Sequence, residues 1–263
     1  MPTMPTILAL DFDGVVCDGL IEYFQTAWRA YGRIWLPADT MPPPGLAEQF
    51  YRLRPVIETG WEMPVLLRSL LLNTPEDEIL ENWQAIAQRQ ITEDNLNPSE
   101  IADSVDQVRD EWIAVDLEGW LAQHRFYPGI TSLLQRVLKS SIHLAIITTK
   151  EGRFVRQLLQ QQGIDLPTAQ IYGKEVKRPK AQTLRTLHQQ FSSNTDQPIS
   201  IWFVEDRLKT LQTIQNQPAL SHVKLYLADW GYNTEAERAI AHKDTQISVL
   251  SLKTLEEEFL VTM

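Results

Sequence analysis

The chain has 263 residues, of which 43% are hydrophobic, and it carries a formal net charge of −10. This length and apolar fraction can build one large core, or a core domain with a smaller second domain. The net negative charge argues against a nucleic-acid-binding surface, because such surfaces need clustered lysine and arginine. Cys17 is the only cysteine, which excludes an intramolecular disulfide and favours a reducing compartment.

The sequence also gives no sign of export or of a membrane span. Residues 1–6 have neither the basic start nor the long apolar run of a signal peptide. The longest apolar cluster, residues 64–72, contains Arg68 and is too short to cross a bilayer. We therefore expect a cytoplasmic location and no membrane partner.

The first predicted strand ends in two acids. Residues 6–11 form an apolar run that ends at Asp11, and Asp13 and Gly14 follow directly. Alternate residues of a strand share one face, and glycine allows the chain to turn sharply. Such paired carboxylates can bind a metal or supply a nucleophile, whereas the alternative is an ordinary strand with an acidic end and a glycine turn.

A long insertion follows, and its hydrophobic periodicity is helical throughout. Helices are predicted at 20–31, 46–58, 62–72, 76–90, 98–104 and 107–123, with no convincing strand. This pattern predicts an α-helical domain over residues 19–123, which leaves residues 1–18 and 124–263 to form a second domain.

One segment of the insertion suggests a binding role. Residues 51–64 combine Arg54 and Glu58 with a turn at Gly60 and Trp61. Arginine suits planar, bidentate contacts to anionic or polar groups, so Arg54, Glu58 and Trp61 are candidate substrate-binding residues. The alternative is a corner between two helices, with arginines at the surface and one packed tryptophan.

The rest of the chain alternates between strands and helices. Strands are predicted at 6–11, 142–148, 199–204, 223–228 and 247–250, and helices at 129–139, 151–162, 181–191, 207–216 and 234–242. This alternation predicts an α/β fold with a doubly wound parallel sheet. Binding sites in such sheets lie beyond the carboxyl ends of the strands.

Further polar residues stand at those predicted strand ends. Thr148 ends the second strand and can donate a hydrogen bond to a phosphoryl oxygen, and Glu205 and Asp206 end the third. Lys177 and Lys180 lie in a cation-rich loop just before a helix. The alternatives are a strand-end hydroxyl for Thr148, a helix N-cap for Asp206 and solvated surface charges for the lysines.

Along the chain, these residues occur in the order acid pair, hydroxyl, lysine and second acid pair. This order resembles that of the motifs in the haloacid dehalogenase (HAD) superfamily. Residues 228–232 also resemble a loop of its phosphatase branch, in which phosphoglycolate phosphatase and β-phosphoglucomutase-like proteins carry a helical cap inserted after the first motif. The resemblance covers residues 6–20 and 126–252. It implies a HAD-type Rossmannoid core with the insertion as an α-helical cap domain.

The resemblance also implies a Mg²⁺-dependent phosphatase acting on a small phosphorylated metabolite. Asp11 would attack phosphorus to form an aspartyl-phosphate, and Asp13 would act as general acid and then as general base. Asp11, Asp206 and the backbone carbonyl of Asp13 would hold the metal, while Thr148 would bind a phosphoryl oxygen.

The family pattern leaves open which lysine neutralises the charge and what Glu205 contacts. Lys180 directly precedes a small residue and a helix, so it fits the family pattern for the charge-neutralising lysine better than Lys177. Glu205 is a direct metal ligand, a contact behind the metal ligands or a solvent-facing acid. Thr149 stands where asparagine or serine is frequent, which concerns only a secondary contact.

The motifs leave other functions open. A phosphomutase of the β-phosphoglucomutase type uses the same aspartates, and a non-catalytic binding protein can retain an idle site. A haloacid dehalogenase agrees less well, because attack on carbon would not need Asp13 or the acids at Glu205 and Asp206. The sequence specifies neither the substrate nor the oligomeric state.

Overall fold

The computed structural model describes residues 4–193 and 198–260. Internal contacts divide the chain into two compact units, one formed by Met1–Asp18 with Arg125–Met263 and the other by Gly19–His124. We call these the α/β unit and the helical unit. Within the described residues, no helix is both long and apolar enough to span a membrane.

The α/β unit is built on a parallel sheet. Its strands, with a separate short pair, are β1 Ile7–Leu10, β2 Cys17–Asp18, β3 Arg125–Phe126, β4 His143–Ile147, β5 Ile171–Tyr172, β6 Ile201–Glu205, β7 Val223–Ala228 and β8 Ile247–Leu250. The order β5-β4-β1-β6-β7-β8 makes a six-stranded sheet whose pairs are all parallel, and β2 pairs with β3 antiparallel. This topology confirms the predicted α/β class with a parallel sheet.

The centre of the sheet aligns three strand ends. β1 lies between β4 and β6, and all of its residues are buried, as expected of a strand that is covered on both faces. In the register, Leu10 pairs with Ile146 of β4 and with Val204 of β6. The polar residues that follow these strands therefore emerge at the same edge.

The helical unit contains six α-helices. They are α1 Leu20–Trp35, α2 Leu46–Leu53, α3 Glu62–Leu71, α4 Glu76–Glu93, α5 Pro98–Val115 and α6 Leu117–Leu121, with a 3-10 turn at Arg54–Val56. α1 packs against α3 and α5, and α3 packs against α4. The unit has its own core, in which Phe50, Leu66 and Leu67 are fully buried.

Three helix predictions in this unit, 46–58, 98–104 and 107–123, are wrong in their bounds. α2 ends at Leu53 rather than continuing to residue 58, since Pro55 in the next turn has no amide hydrogen to continue the helix. α5 runs unbroken through residues 104–107, where we expected a gap between two helices. It then ends at Val115, and a separate helix begins after Asp116, whose side chain accepts a hydrogen bond from Gly119 N at 2.8 Å.

The described part of the α/β unit has six further α-helices. They are α7 Ile130–Leu138, α8 Gly152–Gln161, α9 Lys180–Ser192, α10 Leu208–Gln215, α11 Glu235–Ala241 and α12 Leu252–Leu260. α9 contributes Leu184 and Leu187 to a core that also includes Phe203 of β6 and Leu211 of α10. β2, β3, β5 and α12 were not predicted from the sequence.

Candidate active site

Backbone hydrogen bonds fix the residues that follow the central strands. Asp11 N donates to Val204 O at 2.9 Å, one residue beyond the end of β1. Thr148 N donates to Tyr172 O at 3.0 Å, one residue beyond the end of β4. Because these residues keep ladder-like bonds after their strands end, their side chains are held at the carboxyl edge of the sheet.

Lys180 joins two acids that are distant in sequence. It is the first residue of α9, and its Nζ lies 2.8 Å from Asp11 Oδ2 and 2.7 Å from Glu205 Oε2. Glu205 is fully buried and its second oxygen accepts from Arg207 N at 3.1 Å. The solvent-facing alternative for Glu205 is therefore wrong. Lys177, in contrast, is exposed and lies in a left-handed turn with φ of 51°.

Asp206 is held by the loop after β7. Its Oδ2 accepts from Tyr232 N at 2.8 Å, and its backbone carbonyl accepts from Asn233 Nδ2 at 3.0 Å. Gly14 has φ of +86° and lies so close to the Asp206 carboxylate that a Cβ on residue 14 would collide with it. Gly231 approaches Asp206 equally closely. Glycine at these two positions lets both loops close on the buried acid.

Asp13 has a lysine partner that the sequence analysis missed. Lys150 Nζ lies 3.1 Å from Asp13 Oδ1 and 3.4 Å from Oδ2. Lys150 was visible only as the second residue after Thr148, and nothing in that position indicates where its ammonium points.

Thr148 itself is buried, and its hydroxyl oxygen accepts from Lys150 N at 3.1 Å. The hydroxyl proton of Thr148 remains available for donation to a ligand.

The buried acids carry perturbed pKa values. Burial, reinforced by the nearby Glu205 carboxylate, raises the pKa of Asp11 to about 7, although Lys180 acts in the opposite direction. Burial also raises the pKa values of Glu205 and Asp206. Burial acts to lower the pKa of Lys180, but the carboxylates of Asp11 and Glu205 outweigh this effect and raise it. Two of these three buried carboxyls share the Lys180 ammonium, and an added cation would relieve the repulsion among all three.

The donor atoms of these acids fit a hard divalent cation. Carboxylate oxygens of Asp11, Glu205 and Asp206 lie within 4.8 Å of one another. An all-oxygen set with few carboxylates suits Mg²⁺, which usually keeps several waters and binds one or two carboxylates together with substrate phosphate. Both oxygens of Glu205 accept hydrogen bonds, from Lys180 Nζ and Arg207 N, and both oxygens of Asp11 also have donors, Lys180 Nζ and Phe12 N. A metal ion would therefore share these carboxylates with the donors already present.

The three candidate substrate residues lie in the helical unit. Arg54 Nη1 donates to Ile57 O at 3.1 Å, and its guanidinium carbon lies 4.9 Å from the centre of the Tyr23 ring. Trp61 is half-buried against the core of the unit, and Glu58 is exposed. The contacts of Arg54 and Trp61 stabilise the corner between α2 and α3. Of the three side chains, that of Glu58 is the most accessible to solvent.

Comparison with known proteins identifies a family and a fold. The sequence model of the haloacid dehalogenase-like hydrolases matches residues 67–217, which is more than half of the chain. No curated protein matches the chain significantly.

Several solved structures share the fold at low sequence identity. A predicted phosphoglycolate phosphatase from Haemophilus somnus 129PT has a TM-score of 0.63 at 16% identity, with 100% of both chains covered. A predicted phosphatase from Clostridium acetobutylicum has a TM-score of 0.59 at 15% identity, with 98% of this chain and 100% of that chain covered. A haloacid dehalogenase-like family hydrolase from Streptococcus pneumoniae has a TM-score of 0.57 at 17% identity, with 98% and 99% covered.

Proposed function

The chain belongs to the haloacid dehalogenase-like hydrolases, and from this premise we propose that it is a Mg²⁺-dependent phosphatase acting on a small phosphorylated metabolite. The observation that carries the proposal is the contact of Lys180 with Asp11, at 2.8 Å, beside the buried acid Asp206. Structural similarity to proteins described as phosphatases supports the choice of phosphate ester over other hydrolase substrates.

Asp11 is the proposed nucleophile. One of its carboxylate oxygens attacks phosphorus, and the bond between phosphorus and the leaving oxygen breaks with its electron pair staying on that oxygen. Asp13 gives its proton to the leaving oxygen. Asp13 then takes a proton from a water that attacks the aspartyl-phosphate, which releases inorganic phosphate and restores the Asp11 carboxylate.

Positive charge makes the attack of one anion on another possible. Mg²⁺ held by Asp11, Asp206 and the Asp13 carbonyl would neutralise charge on the phosphoryl oxygens. Lys180 contributes a second positive charge on the nucleophile, and the buried Glu205 carboxylate fixes the position of that ammonium. We therefore propose that Glu205 acts on Lys180 and stands behind the metal ligands.

The remaining candidates bind the substrate. Thr148 donates its hydroxyl proton to a phosphoryl oxygen. In the proposed division of labour, the helical unit is a cap, and its residues Arg54, Glu58 and Trp61 contact the part of the metabolite that differs between substrates. A cytoplasmic location agrees with the single, buried cysteine.

The test is hydrolysis of 4-nitrophenyl phosphate by the purified full chain. We expect release of inorganic phosphate with Mg²⁺ and its loss in excess EDTA. Asp11→Asn should abolish turnover, whereas Asp165→Asn, at an exposed position of the same unit, should leave it unchanged. Turnover that persists in EDTA would contradict the metal dependence. Transfer of phosphate within a sugar phosphate, without its release, would identify a phosphomutase instead.

A further inference from the structure

Lys150 makes a two-point contact with the proposed acid–base residue. Its Nζ lies 3.1 Å from one carboxylate oxygen of Asp13 and 3.4 Å from the other. The Lys150 side chain is only 9% exposed and that of Asp13 is 17% exposed. An ion pair so shielded from water is much less screened than a pair at the surface.

The backbone around Lys150 is also fixed. Lys150 N donates to the Thr148 hydroxyl oxygen at 3.1 Å, and Lys150 O accepts from Lys174 N at 2.9 Å. On the other side of the contact, Gly14 N donates to Cys17 O at 2.8 Å, which closes the turn that carries Asp13. Both partners of the ion pair therefore extend from anchored loops, so the lysine determines where the Asp13 carboxylate points.

We propose that Lys150 is a positioning residue that orients Asp13 for proton delivery to the leaving group, an inference that rests on the proposed function. The proton moves from Asp13 to the leaving oxygen as the bond to phosphorus breaks, and Lys150 keeps all of its own protons. After the transfer, Lys150 holds the Asp13 carboxylate in the place from which it accepts a proton from water. A lysine that only stabilised the fold would have no such link to the leaving group.

This role has a chemical signature. A leaving group that is stable as an anion, such as 4-nitrophenolate, needs little help from an acid, whereas a more basic phenolate needs a proton as it departs. Misplacing Asp13 should therefore slow phosphoryl transfer more as the leaving group becomes more basic. The ratio kcat/KM reports the reaction up to the first irreversible step, which includes phosphoryl transfer to Asp11.

The experiment measures kcat/KM for 4-nitrophenyl, phenyl and 4-methoxyphenyl phosphate with Mg²⁺. We compare wild type, Lys150→Met, Lys150→Arg and the exposed control Lys139→Met. Lys150→Met should lose at least about ten-fold more activity on phenyl and 4-methoxyphenyl phosphate than on 4-nitrophenyl phosphate, since general acid catalysis is worth about 10²–10⁴ in rate. Lys150→Arg should recover most of the difference, and Lys139→Met should match wild type.

The possible outcomes distinguish the positioning role of Lys150 from the proposed phosphatase function. Equal losses by Lys150→Met on all three esters, or no recovery by Lys150→Arg, would overturn the positioning role while the phosphatase proposal stands. Absence of wild-type activity on every ester would instead remove the proposed function. Lys150→Ala also removes both contacts to Asp13, so it provides the same comparison if Lys150→Met does not fold, and a uniform loss by that variant would equally overturn the role.

Discussion

Lys180 and Asp11 form a largely buried ion pair, with 2.8 Å between Nζ and Oδ2. Glu205 contacts the same ammonium from its other side at 2.7 Å. In the proposed mechanism, the ammonium is therefore in place before a phosphate binds, and no reorganisation is needed when negative charge builds up on phosphorus. Preorganised charge of this kind is often the largest single contribution to catalysis.

Replacement of Lys180 should affect activity far more than replacement of Lys177. We expect Lys180→Met to lower kcat/KM for 4-nitrophenyl phosphate by about 10²–10³, as found when one preorganised electrostatic contact is removed. Lys177→Met removes a charge from an exposed turn and should change the value by about twofold at most. Steady-state kinetics with both variants makes the comparison, and the reverse ranking would assign the role to Lys177.

Ionisation of Asp11 should lower the free energy of unfolding when no metal is bound. Because the pKa of Asp11 is raised from 3.8 to about 7, the folded protein binds this proton more tightly than the unfolded chain. Ionisation of Asp11 then lowers the free energy of unfolding progressively from about pH 4 to about pH 7, and the full cost applies above that range. Asp11→Asn removes the ionisable group and should be the more stable protein at pH 8 in EDTA.

Urea unfolding in EDTA at several pH values tests this cost. The advantage of Asp11→Asn at pH 8 should be at most roughly 4 kcal/mol, because the rise in the pKa of Asp11 from 3.8 to about 7 corresponds to ~1.4 kcal/mol for each tenfold change in proton affinity. It should shrink as the pH falls to 5, because wild-type Asp11 then becomes protonated. Mg²⁺ should stabilise the wild type and stabilise the variant less. A variant that is less stable than wild type at pH 8 would contradict the stability cost attributed to the raised pKa of Asp11.

The helical unit contains a buried ion pair whose loss should destabilise it. Glu22 is 1% exposed, and its Oε1 accepts from Arg109 Nε at 2.8 Å, Thr26 Oγ1 at 2.7 Å and Trp120 Nε1 at 3.2 Å. Glu22→Ala leaves the partly buried Arg109 guanidinium, which is 23% exposed, with only the longer contact to Asp106 at 3.5 Å among its ion pairs in the described residues. We expect a loss of about 3–5 kcal/mol in the free energy of unfolding, measured by urea denaturation.

The exposed pair Arg33–Glu111 provides a matched control. Its side chains are 41% and 51% exposed, so Glu111→Ala should cost about 1 kcal/mol or less. Replacing both Glu22 and Arg109 by apolar residues should cost less than Glu22→Ala alone, since no buried charge is then left uncompensated. Equal costs for Glu22→Ala and Glu111→Ala would show that burial does not determine the strength of the first pair.

Substrate selection by the helical unit is best tested at Glu58. Arg54 and Trp61 also hold the corner between α2 and α3, so their replacement mixes folding with binding. Glu58 is exposed, so Glu58→Ala should lower kcat/KM for the physiological metabolite, found by screening phosphorylated metabolites, and leave 4-nitrophenyl phosphate hydrolysis unchanged. Glu48→Ala, on α2, serves as the control. An equal effect of Glu58→Ala on both substrates would make this segment structural.

The sequence predicted the α/β fold because its central strands are continuous apolar runs with polar residues at their ends. Leu10, Ile146 and Val204 lie in such runs, and their pairing explains why Asp11, Thr148 and Asp206 emerge at one edge. Short elements such as β5 lack a readable period. The break expected near residue 104 does not occur, because the helix keeps a continuous buried stripe formed by Ile101, Val105, Val108 and Trp112.

The remaining features could not be predicted from the sequence because they depend on tertiary contacts. Lys150 and Asp13 are 137 residues apart, and no local pattern links a lysine after two threonines to an acid at the start of the chain. The burial of Glu205 is equally invisible locally, since an acid at a strand end is found in either setting. Only the packing of α9 against the sheet brings Lys180 to it.

The covalent role of Asp11 is the central claim, and trapping the intermediate tests it most directly. Asp13→Asn should still transfer phosphate from a substrate with a good leaving group but should hydrolyse the intermediate slowly, because water attack has lost its base. Acid quenching of this variant with ³²P-labelled 4-nitrophenyl phosphate, followed by borohydride reduction and peptide mass spectrometry, locates the phosphorylated residue. The proposed mechanism predicts one ³²P label per protein molecule and reduction of Asp11 to homoserine. Phosphate release by the wild type with no label on the quenched variant, or label on another residue, would contradict it.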